Sequence, residues 1–227
     1  WHDGPTLMEH LERVDTQADT EADFPFRFPV QWVNRPNLDF RGFSGTVAAG
    51  SISPGNEVLV SHSGKTGVVE RLVTADGDLQ KAVAGQAVTL VLDREIDIAR
   101  GDVIADPKAR PEVSSQFAAE LLWMTDEEMY PGRSYLLKAG GQITPASITT
   151  LKHKLNVNTF EKEPGKSLKL NEIGVCTLNT SKPIAFDPYT DQRETGSFIL
   201  IDRFTDQTVA AGMIEFSLRR ASNVHTH

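Results

Sequence analysis

This 227-residue chain has only one cysteine, no block of basic residues and no long apolar segment. The single cysteine, Cys176, excludes an internal disulfide and is typical of a reducing compartment, so a cytoplasmic protein is predicted. A net charge of −8 argues against a general affinity for nucleic acid, because such binding needs basic patches that displace counterions from phosphates. Apolar runs such as Ala87–Leu92 are far shorter than the roughly 20 residues of a membrane helix. We therefore expect neither a nucleic-acid partner nor a membrane partner.

The composition, with 39% hydrophobic and 24% charged residues, is that of a soluble globular protein. A chain of 227 residues is long enough for one large domain or two ordinary ones, each with a hydrophobic core. Cys176 lies in the apolar segment Ile173–Leu178, which favours a buried, unreactive core thiol.

The first 23 residues differ in pattern from the rest of the chain. Pro5 stands where a first helical turn tolerates proline, and apolar residues follow at helical spacing: Leu7, Met8, Leu11 and Val14. The acidic stretch 15–23 comes next. A short amphipathic helix alone has no surface to pack on, so residues 1–23 are predicted to be the end of a neighbouring domain and a linker.

Short alternating apolar segments separated by glycine turns fill the remainder of the chain. They predict one small closed β-barrel over residues 24–108, since closure removes exposed sheet edges. The proline-flanked segment Pro107–Pro111 is the predicted linker. A second barrel is predicted over residues 109–216, with a tail at 217–227. The expected fold class is all-β, with two consecutive barrels after the short helix.

Three local patterns resemble chemical sites, and each has a simpler explanation. Ser63–Thr66 ends like a phosphate-binding loop, but Leu59 stands where the first glycine should be, and the segment joins two strands. Asp126–Glu128 is a carboxylate cluster predicted to lie in a solvated loop. Of the six histidines only His225 and His227 are close, without the further ligands a metal site needs. The sequence therefore predicts no catalytic, cofactor-binding or metal-ligating residue in this chain.

Several longer segments carry a family resemblance: Trp1–Leu11 with the pattern W-x-x-G-P-T-L, Phe24–Val60, Leu122–Thr125 with Met129–Lys138, and Arg193–Ile214. The first resembles the last helix of the GTPase domain of translation-factor-like GTPases, and the second resembles the start of their second domain. The others are similar to one branch in particular, the large GTP-binding subunit of bacterial sulfate adenylyltransferase. Leu218–His225 resembles the connection to a fused adenylylsulfate kinase, so a bifunctional parent is expected.

The resemblance implies a parent protein that hydrolyses GTP, with Mg²⁺, on a domain outside this chain. Hydrolysis would drive the reaction of ATP with sulfate, giving adenylylsulfate and pyrophosphate, on a small catalytic subunit. ATP would bind to partner domains. None of the GTP-site motifs is present here, so the fragment itself is expected to be inactive and to hold no cofactor.

Within such a parent, the barrels would dock the small catalytic subunit and relay the state of the GTPase domain to it. The loop Asn34–Arg41 is a candidate contact surface, because it combines Arg35 and Arg41 with Phe40, and arginine and aromatic residues are over-represented at binding hot spots. The alternative is a long hairpin connection in which Phe40 is buried.

Two other classes of function remain open. An elongation-factor fragment that binds tRNA or the ribosome predicts a basic groove on the barrels. An independent β-barrel enzyme predicts a convergent cluster of buried titratable groups.

Overall fold

The computed structural model describes residues 4–14, 24–37 and 40–218. It begins with the helix α1, Leu7–Arg13, which starts with a capping box: the Thr6 hydroxyl accepts a hydrogen bond from the Glu9 amide, and the Glu9 carboxylate accepts one from the Thr6 amide at 2.8 Å. The predicted helix is therefore confirmed. None of its residues is buried, and its apolar side chains are exposed, with Leu7 73% exposed.

The first barrel follows as antiparallel strands separated by short turns. Its strands are β1 (Arg27–Asn34), β2 (Gly42–Thr46), β3 (Ser51–Ile52), β4 (Glu57–Val60), β5 (Thr66–Thr74), β6 (Gly77–Leu79), β7 (Ala82–Val83), β8 (Ala87–Leu92) and β9 (Val103–Ala105). The order β4-β9-β1-β2-β8-β5 closes into a ring, because β4 also pairs with β5. Strand β6 pairs with β5 at the edge of this sheet, and β3 and β7 form a separate two-stranded sheet. The core contains Phe28, Val30, Phe43, Leu72, Leu90 and Ile104.

The second barrel has longer strands and one short helix. Its elements are β10 (Glu112–Trp123), β11 (Ser134–Ala139), β12 (Gln142–Leu155), β13 (Lys162–Glu163), β14 (Ile173–Phe186), α2 (Arg193–Gly196), β15 (Ser197–Asp202) and β16 (Thr208–Ser217). The order β11-β15-β16-β10-β14-β12 closes by a pairing of β11 with β12. The all-β prediction of two consecutive barrels is thus confirmed.

Aromatic side chains fill the centre of the second barrel. The Phe117 ring contacts those of Phe186 and Phe198 at centroid distances of 5.5 and 5.8 Å. Gly212 lies directly beneath the Phe198 ring, which occupies the space that a β-carbon would need. Strand β16 can therefore carry only glycine at this position without displacing the ring.

A buried ion pair joins the two barrels. Strand alternation directs Phe26 and Phe28 into the first core and Arg27 to the opposite face, toward the second barrel. There the Arg27 guanidinium donates two hydrogen bonds of 2.8 Å to the carboxylate of Asp187, which also accepts one of 2.7 Å from the Thr195 hydroxyl. The Arg27 and Asp187 side chains are only 3% and 7% exposed. These fully partnered charges fix the barrels against each other.

Candidate interaction surface on the first barrel

The predicted contact loop is the connection between β1 and β2. Asn34 pairs with Gly42 across the two strands, so residues 35–41 form the end of a hairpin. Residues 38 and 39 of this loop lie outside the described residues. The hairpin interpretation of this segment is therefore confirmed.

Phe40 is half-buried at the base of this hairpin. A β-carbon built on Gly42 would lie 2.9 Å from the nearest atom of the Phe40 ring, so the ring packs directly on the strand at the one residue that leaves room for it. The structure thus differs from the expectation of a buried Phe40, because the exposure of this side chain is intermediate.

The two arginines of this hairpin end have partners on the same barrel. Arg35 lies 3.5 Å from Glu95 in an exposed pair, and the Arg41 guanidinium lies 5.6 Å from the centre of the Phe43 ring. We call Arg35, Phe40, Arg41 and Glu95 the loop surface. A shallow groove of about 200 Å³ runs beside it, lined by residues that include Arg41, Phe43, Asp93 and Glu95.

The groove has a fixed acidic wall. Asp93 accepts hydrogen bonds from Arg94 and from the Val68 amide, and the Arg94 bond is the main reason that the pKa of Asp93 is lowered. Asp93 is therefore ionised at neutral pH. The loop surface and its groove can offer a partner two arginines, a half-buried aromatic ring and carboxylates.

The segment that ends like a phosphate-binding loop is the hairpin turn between β4 and β5. The Gly64 amide donates to the Val60 carbonyl at 2.8 Å, and the Val60 amide donates to the Lys65 carbonyl at 2.9 Å. Gly64 has a φ of +70°, a conformation that glycine adopts without steric cost. The hairpin-turn prediction is confirmed, since the segment leads into a strand rather than a helix.

The carboxylate cluster at 126–128 lies in the predicted loop, and two of its members have structural partners. Glu127 pairs with Arg133 at 2.9 Å. Glu128 accepts hydrogen bonds from the hydroxyls of Tyr130 and Ser167, and the Tyr130 bond is the main cause of its lowered pKa. These carboxylates hold the loop and do not converge on a common point.

Cys176 is fully buried in the second core, as predicted, and burial raises the pKa of its thiol to about 12. Within residues 4–14, 24–37 and 40–218, no three histidine, cysteine or acidic side chains are grouped as metal ligands would be. His225 and His227 lie outside the described residues. No helix in the described part of the chain is long and apolar enough to cross a membrane.

Sequence analysis missed several exposed apolar side chains. Phe204 is 89% exposed in the β15–β16 turn, Phe160 is 79% exposed beside β13, and Trp32 is 61% exposed on β1. Trp32 lies within a strand and the two phenylalanines lie next to strands, so nothing local distinguishes them from core residues. Their exposure depends on how the barrel closes.

Comparisons with known proteins agree with this architecture. The family model described as GTP-eEF1A C-terminal domain-like matches residues 116–215. The bifunctional enzyme NodQ of Rhizobium sp. (strain N33) is 56% identical over 225 residues, which is 99% of this chain and 35% of NodQ. Sulfate adenylyltransferase subunit 1 of Aliivibrio fischeri (strain MJ11) is 49% identical over 215 residues, which is 95% of this chain and 45% of that subunit.

A solved structure shares the arrangement of both barrels. The crystal structure of Sup35 complexed with GDP superposes with a TM-score of 0.80 at 25% identity, covering 96% of this chain and 53% of Sup35. The chain spans less than half the length of the NodQ and subunit 1 relatives it matches. Across both barrels the chain is similar to NodQ and to sulfate adenylyltransferase subunit 1, and its barrels match the second and third domains of translation-factor-like GTPases.

Proposed function

We propose that this chain is the non-catalytic barrel portion of a GTP-dependent sulfate adenylyltransferase large subunit, which docks the small catalytic subunit and relays the state of the GTPase domain to it. The observation that carries the proposal is the 49% identity to a sulfate adenylyltransferase subunit 1 across both barrels. The parent reaction is the joining of ATP and sulfate to give adenylylsulfate and pyrophosphate. GTP and Mg²⁺ bind to the GTPase domain, and ATP binds to partner domains.

The proposed domain division follows the sequence patterns. Residues 1–23 are the end of the GTPase domain and its linker, 24–108 the first barrel, 109–216 the second, and 217–227 a tail toward an adenylylsulfate kinase domain. Relatives named bifunctional enzyme NodQ, at 49 to 56% identity, support a parent with two activities. The buried thiol of the single cysteine is consistent with the cytoplasm as the compartment.

The joint between the barrels supports a relay role. Because the buried pair between Arg27 and Asp187 links the two barrels, we expect a shift of the GTPase domain against either one to displace both. A partner bound at the loop surface then senses the nucleotide state through a rigid-body displacement. No chemistry within the barrels is required.

Calorimetric titration of this chain with the small sulfate adenylyltransferase subunit tests the proposal. We expect binding by the unaltered chain and a loss of affinity of at least tenfold for the double variant Arg35→Gln/Arg41→Gln, since arginine is prominent at hot spots. The double variant Arg71→Gln/Arg110→Gln is the matched control, because it removes two exposed arginines outside the loop surface; Arg71 is paired with Asp78 at 2.7 Å. Equal affinity of the two double variants would remove the loop surface as the docking site. Absence of binding by the unaltered chain would contradict the docking role itself.

The alternative function is that of elongation-factor barrels that bind tRNA or the ribosome. The match to the eEF1A C-terminal domain model and the superposition on Sup35 favour it at the level of fold. The net charge of −8 and the relation to sulfate adenylyltransferase subunit 1 favour the first proposal. Binding of tRNA, and not of the small subunit, in the same titration would favour the elongation-factor function over the first proposal.

A further inference from the structure

A cleft of about 470 Å³ lies at the boundary of the two barrels, away from the loop surface. The first barrel contributes Gln31, Thr46 and Arg100 to its lining, and the second contributes Lys138, Gly141 and Glu194. Its size falls within the range of small-molecule sites, which occur preferentially at domain boundaries.

The walls of this cleft are held in place from both sides. Ala48, which lines it, accepts a hydrogen bond of 3.1 Å from the side chain of Gln192 across the boundary, and Gln192 is itself buried. The ion pair between Arg27 and Asp187 fixes the same two barrels. The cleft is therefore preformed, and a ligand does not have to assemble it.

A tight glycine turn forms one rim. The β11–β12 hairpin turns at Gly140 and Gly141, and Gly140 has a φ of +53°. A β-carbon on Gly141 would lie 2.9 Å from the Val30 carbonyl oxygen, so glycine lets the hairpin approach β1 closely. The absence of side chains at the turn leaves the cleft open above it.

The charge of the cleft is opposite to that of the chain. Arg100 and Lys138 are both exposed at its rim, and neither forms an ion pair with any residue that the structure describes. Glu194 is the single carboxylate among the described lining residues. Two unpaired cations against one carboxylate give a local positive charge in a protein whose net charge is −8.

We propose that this cleft binds a small organic anion that carries a phosphate or sulfate group and is about the size of a mononucleotide. Arg100 and Lys138 hold the anionic group, because charge-assisted hydrogen bonds from both side chains are stronger than neutral ones. Gln31 and Thr46 offer amide and hydroxyl groups to the rest of the ligand. This site is independent of docking to the small subunit.

Calorimetry with adenosine monophosphate as the probe, at low salt, tests the proposal on the full chain. Adenosine, inorganic phosphate and inorganic sulfate in parallel separate the contribution of the anionic group from that of the base and sugar. We expect the mononucleotide to bind, adenosine not to bind, and the double variant Arg100→Gln/Lys138→Gln to lose at least tenfold in affinity. Glu194→Gln is expected to strengthen binding, since it removes the opposing charge.

The double variant Lys162→Gln/Arg110→Gln is the matched control, because it removes the same two charges from exposed positions outside the cleft. Circular dichroism of each variant establishes that it is folded. An equal loss of affinity for adenosine monophosphate in both double variants would overturn the proposed site. Absence of binding of every probe by the unaltered chain would do the same. Tight binding of a single-stranded oligoribonucleotide with no response to the mononucleotide would overturn the small-molecule assignment.

Discussion

At the scale of single residues, the buried charge of Arg27 is important for stability. Its charge is buried between the barrels and is partnered by one carboxylate, so Arg27→Gln leaves Asp187 buried with the Thr195 hydroxyl as its remaining side-chain donor. We expect the free energy of unfolding to fall by about 3 kcal/mol, since a buried charge without its counter-ion is strongly destabilising. Urea denaturation measures this loss.

Arg71→Gln provides the comparison for that measurement. Arg71 makes a hydrogen-bonded pair with Asp78 of similar length, but in an exposed position, so solvent screens the interaction and its removal changes stability little. An equal loss in the free energy of unfolding in both variants would contradict a stabilising role of the buried ion pair between the barrels.

A second residue-scale prediction concerns alkaline pH. Burial raises the pKa of Cys176 from 9.0 to about 12, so in the folded chain the thiol keeps its proton over a range in which the unfolded chain loses it. Its contribution to stability is fully present below pH 9 and is lost progressively from pH 9 to about pH 12. The stability advantage of the unaltered chain over Cys176→Ala should therefore shrink as pH rises above 9.

Denaturation of both proteins from about pH 8 to about pH 10 measures this difference. Burial also raises the pKa of Tyr135 to about 12, and because both proteins contain Tyr135, its effect cancels in the comparison. A constant difference in the free energy of unfolding across this range would show that folding does not raise the pKa of the Cys176 thiol.

At the scale of elements, α1 is separate from the barrels. None of its residues is buried, and the capping box supplies its interactions from within the helix. We expect deletion of residues 1–23 to change the free energy of unfolding by less than about 0.5 kcal/mol, as for exposed positions in general. Urea denaturation of the shortened chain tests this, and a large loss would mean that α1 packs on the barrels. A deletion extended through Phe28 is the contrasting variant, because it removes core side chains of β1.

At the scale of the whole molecule, the two barrels should unfold in one transition. Each has its own core, but the buried pair and the Gln192 hydrogen bond couple them across the boundary. In a background with Trp1→Phe and Trp32→Phe, fluorescence of the buried Trp123 follows the second barrel, and hydrogen exchange of β1 and β2 follows the first. In the unaltered chain both probes should give the same midpoint.

Asp187→Asn should separate those midpoints, because it weakens the coupling without removing either core. Asp78→Asn, on the exposed surface of the first barrel, is the control that should leave the transition single. Coincident midpoints in Asp187→Asn would mean that apolar contacts alone couple the barrels.

Local patterns were sufficient to predict the barrels themselves. Strand alternation is a property of neighbouring residues, so segments such as Thr66–Val73 identify a strand and its buried face without further information. The same holds for the turn at Gly64 and for the buried Cys176, which lies in a mainly apolar strand segment. The half-buried state of Phe40 was not predicted, because it depends on whether another layer covers the hairpin.

The order of strands, turns and apolar residues along the chain thus determined two closed barrels, a leading helix and the absence of a recognisable catalytic motif. Folding brought together the residues whose partners are remote in sequence: Arg27 and Asp187 are 160 positions apart, and Arg100 and Lys138 share a cleft although they belong to different barrels. No periodicity encodes such pairs, since neither partner differs locally from an exposed charge. Their burial or convergence follows only from the way in which one barrel packs against the other.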